Sequence, residues 1–110
     1  MTDATVFKPI KLSGRLDTTK VGEIETRFYA EVGAIKTPGA VALLDLKDVD
    51  FLSSLGIRLL VTAGKTLKQR QVKLGVIAPA SKDVMQALET SGLPELFSFF
   101  DSEDAARAAL

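Results

Sequence analysis

Two adjacent serines, Ser53 and Ser54, precede Leu55-Gly56-Ile57-Arg58 where a strand-like run gives way to a helical one. A serine at such a junction can do two things. Its hydroxyl can cap the helix, and it can carry a phosphate. Spacing makes Ser54 the candidate N-cap, with its oxygen near the free N–H groups of Leu55, Gly56 and Ile57. The same amides and the helix dipole favour a phosphate at that point. Gly56 keeps the first turn clear of a side chain, so that another protein can approach Ser54 closely. Asp17 and Asp45 are expected at neighbouring strand ends, so a phosphate on Ser54 adds charge beside carboxylates already present. The expected consequence is a local change of surface potential with the fold unaltered. The plainer reading of these residues makes Ser54 a helix cap only, Asp45 a loop-closing acceptor, Gly56 turn chemistry and Arg58 a solvated side chain.

Other chemistries are thinly supplied. The 110 residues contain no His and no Cys, which removes a Ser-His-Asp triad, a His phosphorelay, a thiol nucleophile, a disulfide framework and the usual metal ligands. An enzyme using Ser54 as nucleophile would need a carboxylate or lysine as its base. Asp17 and Asp45 alone make a poor metal pair, and there is no Gly-rich phosphate loop. No cofactor is expected. Fourteen basic and fourteen acidic side chains cancel, and aromatic residues make up 6%. That composition argues against a nucleic-acid surface. The Lys65, Lys68, Arg70 and Lys73 stretch reads as the exposed end of a helix. Apolar runs fall far short of the ~20 residues that cross a bilayer. Met1 to Ile10 lacks the charged-then-apolar pattern of a signal peptide. The expectation is a cytoplasmic protein with no membrane insertion, folded as a single domain over residues 1–110.

The elements that must position these residues alternate. Val6 to Leu12 reads as a strand, placed at an edge by Pro9. It continues through Leu12-Ser13-Gly14-Arg15-Leu16-Asp17 with a bulge at the glycine. Thr18 and Thr19 offer caps for a helix whose apolar face is Val21, Ile24, Phe28, Val32 and Ile35, ended by Thr37-Pro38-Gly39. Ala40 to Leu46 is a nearly continuous apolar run, as in a strand covered on both faces. A helix from Leu55 buries Ile57, Leu60, Val61, Gly64 and Leu67. Val72 to Ala78 is a further central strand, and Ser81 caps a short helix that Gly92 stops. Leu96 to Phe100 is a last strand, where Phe97, Phe99 and Phe100 pack alternately. Glu103 to Leu110 is a terminal helix with acids in its first turn. The alternation predicts an α/β fold with a mostly parallel central sheet, short edge strands and about four helices. Sites in such folds lie at the C-terminal ends of the strands.

Three motifs in order resemble one family. Leu44-Asp45-Leu46 followed by Val49-Asp50-Phe51-Leu52-Ser53-Ser54-Leu55-Gly56-Ile57-Arg58-Leu59-Leu60 is similar to the signature of the STAS domain, and more narrowly of bacterial anti-sigma factor antagonists. Leu12 to Asp17 resembles the second strand of that family. Ser91-Gly92-Leu93-Pro94-Glu95-Leu96-Phe97 with Phe100-Asp101-Ser102 resembles its final helix–strand–helix passage. The resemblance covers residue 6 to the end. It implies a non-enzymatic, phosphorylation-controlled binding module whose partner is an anti-sigma factor with serine kinase activity. The unmodified antagonist binds that partner, phosphorylation of Ser54 releases it, and a PP2C-type phosphatase restores it. By position the resemblance makes Ser54 the phosphoacceptor and Asp17, Asp45, Ser53, Ser54, Leu55, Gly56 and Arg58 the partner-binding set. Ser53 stands where the family usually has Asp. The short N-terminus leaves little room for the family's usual hairpin, so the first strand is expected to be brief or missing, and the chain to be a monomer or weak dimer. The alternative is a stand-alone STAS regulatory subunit of a lipid-transport ABC complex, whose partner would be an ATPase subunit with no need of phosphorylation.

Overall fold

A computed structural model describes residues 7–95 and 97–110. Val6 and Leu96, placed in strands by their sequence, lie outside the described residues, as does any hairpin before residue 7. Four strands form one sheet in the order β1-β2-β3-β4, all parallel: β1 Phe7–Leu16, β2 Val41–Leu52, β3 Lys73–Ile77 and β4 Ser98–Phe100. Helices α1 Thr18–Gly33, α2 Ser54–Gln69, α3 Lys82–Thr90 and α4 Glu103–Ala109 alternate with them. The expected α/β alternation is present.

Period-two alternation along β2 divides the core. Ala42, Leu44 and Leu46 join the larger cluster beneath α1, α2 and α3, with Phe28, Leu60 and Leu88 among its members. Val41 and Leu43 point to the opposite face, where Ala106 of α4 covers them together with Phe7, Phe100 and Leu110. Residues 41–44 are therefore fully enclosed, which is why this stretch reads as unbroken apolar sequence. Phe97 is buried and Phe99 and Phe100 are half-buried in these clusters, so the three phenylalanines pack as expected.

β1 keeps the extent the sequence implies, and β2 exceeds it. β1 runs ten residues, straight through Pro9, which is tolerated because β1 lies at the edge of the described sheet. The family's first strand, expected here to be brief or missing, would precede β1 and lies outside the described residues. β2 runs twelve residues rather than stopping at Leu46. Its first part, Val41 to Asp45, pairs with β1 and β3; its second part, Asp48 to Leu52, pairs with β1 only. The register slips between Lys11 and Ser13 and again between Gly14 and Arg15, the second at the glycine where a bulge is expected, with φ of +75° at Gly14. Both extra residues fall on β2. This two-strand ribbon carries polar side chains, including a Lys11–Asp48 ion pair of 3.0 Å. The hydrogen bond to Asp48, then the charges of Asp48 and Asp45, hold the Lys11 ammonium above its ordinary pKa.

Gly75 shows how tightly the smaller core is closed. A Cβ there would lie 2.9 Å from Leu43 Cδ2, 3.0 Å from Leu110 Cδ1 and 3.2 Å from Phe100 Cε2. Gly22, in α1, has open space around its Cβ position. Gly75→Ala is expected to destabilise the fold by about 1–3 kcal/mol through overpacking, and Gly22→Ala to stabilise it by up to ~1 kcal/mol through helix propensity. Urea unfolding of both variants checks this, since the same chemical change should move the midpoint in opposite directions.

Candidate functional site

β1 and β2 end side by side, and each hands over to a helix. Leu16 is fully buried at the end of β1. The next residue, Asp17, caps α1 by accepting a hydrogen bond from the Lys20 amide at 2.9 Å. Thr18 and Thr19 are thus inside the helix rather than capping it, because the backbone stays extended through Asp17 (ψ −179°). On β2 the Ser53 amide donates to the Leu16 carbonyl at 2.9 Å, which ties the two helix starts together.

The two serines divide the work differently from the expectation. Ser53 is the N-cap of α2: its backbone is extended (ψ 170°) and its Oγ accepts from the Gly56 amide at 3.2 Å. Ser54 is the first helical residue. It is exposed, and its hydroxyl makes no hydrogen bond among the described residues. The cap was expected one residue later because both serines satisfy the same spacing rule. What decides is the pairing of Leu52 with Leu16, which carries the strand up to Ser53.

Gly56 also has another role than the open approach expected of it. It is buried, and a Cβ there would lie 2.8 Å from Leu52 Cδ1 and 3.3 Å from the Leu16 carbonyl oxygen. The glycine lets α2 sit down on the end of β1; it faces the protein, not a visitor.

Asp45 does not join this group. It pairs with Lys11 in the middle of the β1–β2 ladder, and its Oδ1 accepts from the Lys47 amide at 3.0 Å, the local acceptor role of the plainer reading. From Lys11 to Leu16 is five residues, or roughly 17 Å of strand at ~3.3 Å each. Asp45 ends only the pairing with β3; β2 itself runs on. Asp17, Ser53, Ser54, Leu55 and Gly56 are brought together, and Arg58 follows one turn along α2.

Two residues outside the expected partner-binding set, Tyr29 and Phe51, complete the surface beside Leu55. Among the described residues the exposed large hydrophobics are Tyr29, Phe51 and Leu55, at 37%, 37% and 38% exposure. The Arg15 guanidinium lies 3.9 Å above the Phe51 ring, and its Nε is 3.5 Å from Asp17 Oδ2. On the other flank a groove of about 330 Å³ runs between α1 and α2, with Thr18, Glu25 and Tyr29 on one wall and Leu55 and Arg58 on the other. The signal for Tyr29 was available: it is an aromatic residue one place off the buried Val21-Phe28-Val32 stripe. Phe51 is a large apolar residue on the polar ribbon.

No group of three or more carboxylates that could hold a metal ion occurs among the described residues, and none of their helices is long and apolar enough to cross a membrane. The arrangement is an exposed, partly apolar face around a hydroxyl that makes no hydrogen bond among the described residues. The division between the serines is measurable. Ser53→Ala is expected to cost about 1 kcal/mol of stability through the lost cap, and Ser54→Ala less than ~0.5 kcal/mol, as for an exposed site without partners. Paired urea titrations distinguish the two, and equal losses would contradict the assignment of the cap.

The family model of the STAS domain matches residues 4–106. BtrV of Bordetella bronchiseptica, to which the role of anti-sigma factor antagonist has been ascribed, is 30% identical over 98 residues, covering 89% of this chain and 81% of that protein. Among solved structures, a sulfate transporter family protein from Wolinella succinogenes superposes with a TM-score of 0.72 at 17% identity, over 94% of this chain and 83% of the other. The Bacillus cell fate determinant SpoIIAA, in its phosphorylated form, gives a TM-score of 0.64 at 19% identity, over 100% of this chain and 96% of the other. These two share the fold. With a family match along nearly its whole length and a relative 30% identical over most of both chains, this protein belongs to the STAS domain family.

Proposed function

We propose that this protein is an anti-sigma factor antagonist, a binding module switched by phosphorylation of Ser54. Its partner is an anti-sigma factor with serine kinase activity. The observation that carries the reading is the free, exposed Ser54 hydroxyl at the first turn of α2, beside a neighbour that already does the capping. Modification of Ser54 therefore removes no hydrogen bond that holds the fold. The relationship to BtrV supports the choice of partner class.

In this reading the unmodified face, with Asp17, Ser53, Ser54, Leu55 and Arg58 around the exposed Phe51 and Tyr29, docks on the partner. Gly56 acts from beneath by seating the helix, and Asp45 stands outside the contact. The partner's kinase centre transfers the terminal phosphoryl group of ATP to Ser54 Oγ, releasing ADP and the hydroxyl proton. The product carries about −1.5 to −2 charges at neutral pH. Placed on a desolvated face next to Asp17, that charge opposes rebinding. A PP2C-type phosphatase hydrolyses the ester and restores the binding form. No catalytic group of this chain takes part.

The test is affinity purification from native cells with Ser54→Ala and Ser54→Asp beside the wild type, with mass spectrometry of bound proteins and of residue 54. The expected result is a kinase-like anti-sigma factor retained by wild type and Ser54→Ala. Ser54→Asp should bind it roughly 10–100-fold more weakly, about 1.4–2.8 kcal/mol. Phosphate should be found on wild-type Ser54. A transport ATPase retained equally by all three forms, with Ser54 unmodified, would overturn the proposal.

A further inference from the structure

Arg58 differs from the other four arginines. Arg15 is held by Phe51 and Asp17, Arg27 by Glu31, and Arg107 by Glu103 and the ring of Phe7. Arg70 donates to the Gly33 and Ile35 carbonyls. Among the described residues no carboxylate, carbonyl or ring partners Arg58, although it lines the α1–α2 groove with two of the three exposed large hydrophobics, Tyr29 and Leu55.

That combination specifies a visitor. A guanidinium is a rigid, weakly hydrated fork that matches a carboxylate with two parallel hydrogen bonds. Exposed aromatic and aliphatic side chains beside a concave surface favour an apolar anchor. Glu25, on the α1 wall of the same groove, repels an acid on that side, so a docked segment meets a cation on one wall and an anion on the other. This charge pattern fixes its direction. We propose that the α1–α2 groove docks a segment of the partner protein that places an apolar side chain between Tyr29 and Leu55 and a carboxylate on Arg58. The docking site itself rests on the groove and does not require that Ser54 be modified in the cell. The link to Ser54 rests on the function proposed above: Ser54 and Arg58 are i and i+4 on α2 and therefore neighbours on its surface. A phosphate on Ser54 competes for the same guanidinium, so modification withdraws Arg58 from the docked carboxylate as well as adding charge.

The probe is a display library of random 16-residue peptides, selected against the immobilised full chain and against Arg58→Gln and Arg58→Glu. These substitutions change an exposed side chain, and circular dichroism checks that each variant is folded. Peptides enriched on the wild type should carry Asp or Glu at a fixed spacing from Leu, Ile or Phe. They should shift the NMR signals of Tyr29 and Leu55 and bind Arg58→Gln about tenfold more weakly. Arg58→Glu should select Lys or Arg at the acidic position. Enrichment without an acidic position, binding indifferent to residue 58, or shifts confined to another face would each overturn the docking site. So would a groove occupied by a second copy of the chain, seen as concentration-dependent sedimentation abolished by Leu55→Asp. Ser54→Asp separates the two proposals. An acidic peptide that binds wild type and Ser54→Asp equally supports the docking site and counts against the phosphorylation switch. Loss of the native partner on Ser54→Asp without any acidic preference in the selection supports the switch and overturns the docking site.

Discussion

The architecture of the site depends on one junction, the hydrogen bond from the Ser53 amide to the Leu16 carbonyl. Leu16 is the last residue of β1 and Leu52, its ladder partner, the last of β2. Because the next backbone donor of β2 also reaches back to Leu16, the two strands end level with each other. The residue after Leu16 caps α1 and the residue after Leu52 caps α2, each through a short side-chain oxygen accepting from an amide three residues on. Gly56 completes the junction from the helix side, since any Cβ would press on Leu52 and on the Leu16 carbonyl. Without that close approach α2 would be lifted from the sheet, and Ser54, Leu55 and Arg58 would move away from Asp17, Tyr29 and the groove.

The extension of β2 is what delivers this junction away from the rest of the sheet. β3 accompanies β2 only as far as Asp45. Beyond it the chain continues as a two-strand ribbon with β1, bent by two register slips. A ribbon covered by helices on one side can expose alternate residues, and Phe51 is one of them. An exposed phenylalanine within a polar ribbon would be a liability in isolation. Here the Arg15 guanidinium stacks on it and is held in turn by Asp17, so an apolar ring, a cation and an anion stand in sequence beside Ser54.

Much of this was legible from residue order. Enclosure of Val41 to Leu44, the burial of Val21, Phe28 and Val32, the bulge at Gly14 and the edge position implied by Pro9 all follow from periodicity and backbone chemistry. The boundaries that failed share one cause. Lys47, Asp48 and Asp50 look like a loop because local sequence cannot report that a strand has a partner on one side only. The same blindness moved the cap from Ser53 to Ser54, placed Asp45 at a strand end it does not occupy, and turned Gly56 outward. Each of those assignments needed the β1–β2 register, a long-range fact linking residues some 35 positions apart. Spacing identified which residues belong near the site; it could not say which of two adjacent serines is bound and which is free.

That last distinction bears on the substitution that sets this chain apart from the pattern it resembles. An aspartate at position 53 would supply a cap and a carboxylate together. Ser53 supplies the cap alone, since serine and aspartate are nearly equivalent acceptors at that position. The helix start is therefore preserved while one negative charge next to Ser54 is removed. The remaining carboxylate at the junction, Asp17, is already engaged by the Lys20 amide and Arg15. A lower standing charge around the free hydroxyl makes the face more neutral before modification, and the step in potential produced by a phosphate correspondingly larger relative to its background. Arg58, one turn away and without a partner among the described residues, leaves a cation within reach of Ser54 in the unmodified state, the sign that an acidic partner segment requires and that a phosphate on Ser54 would neutralise.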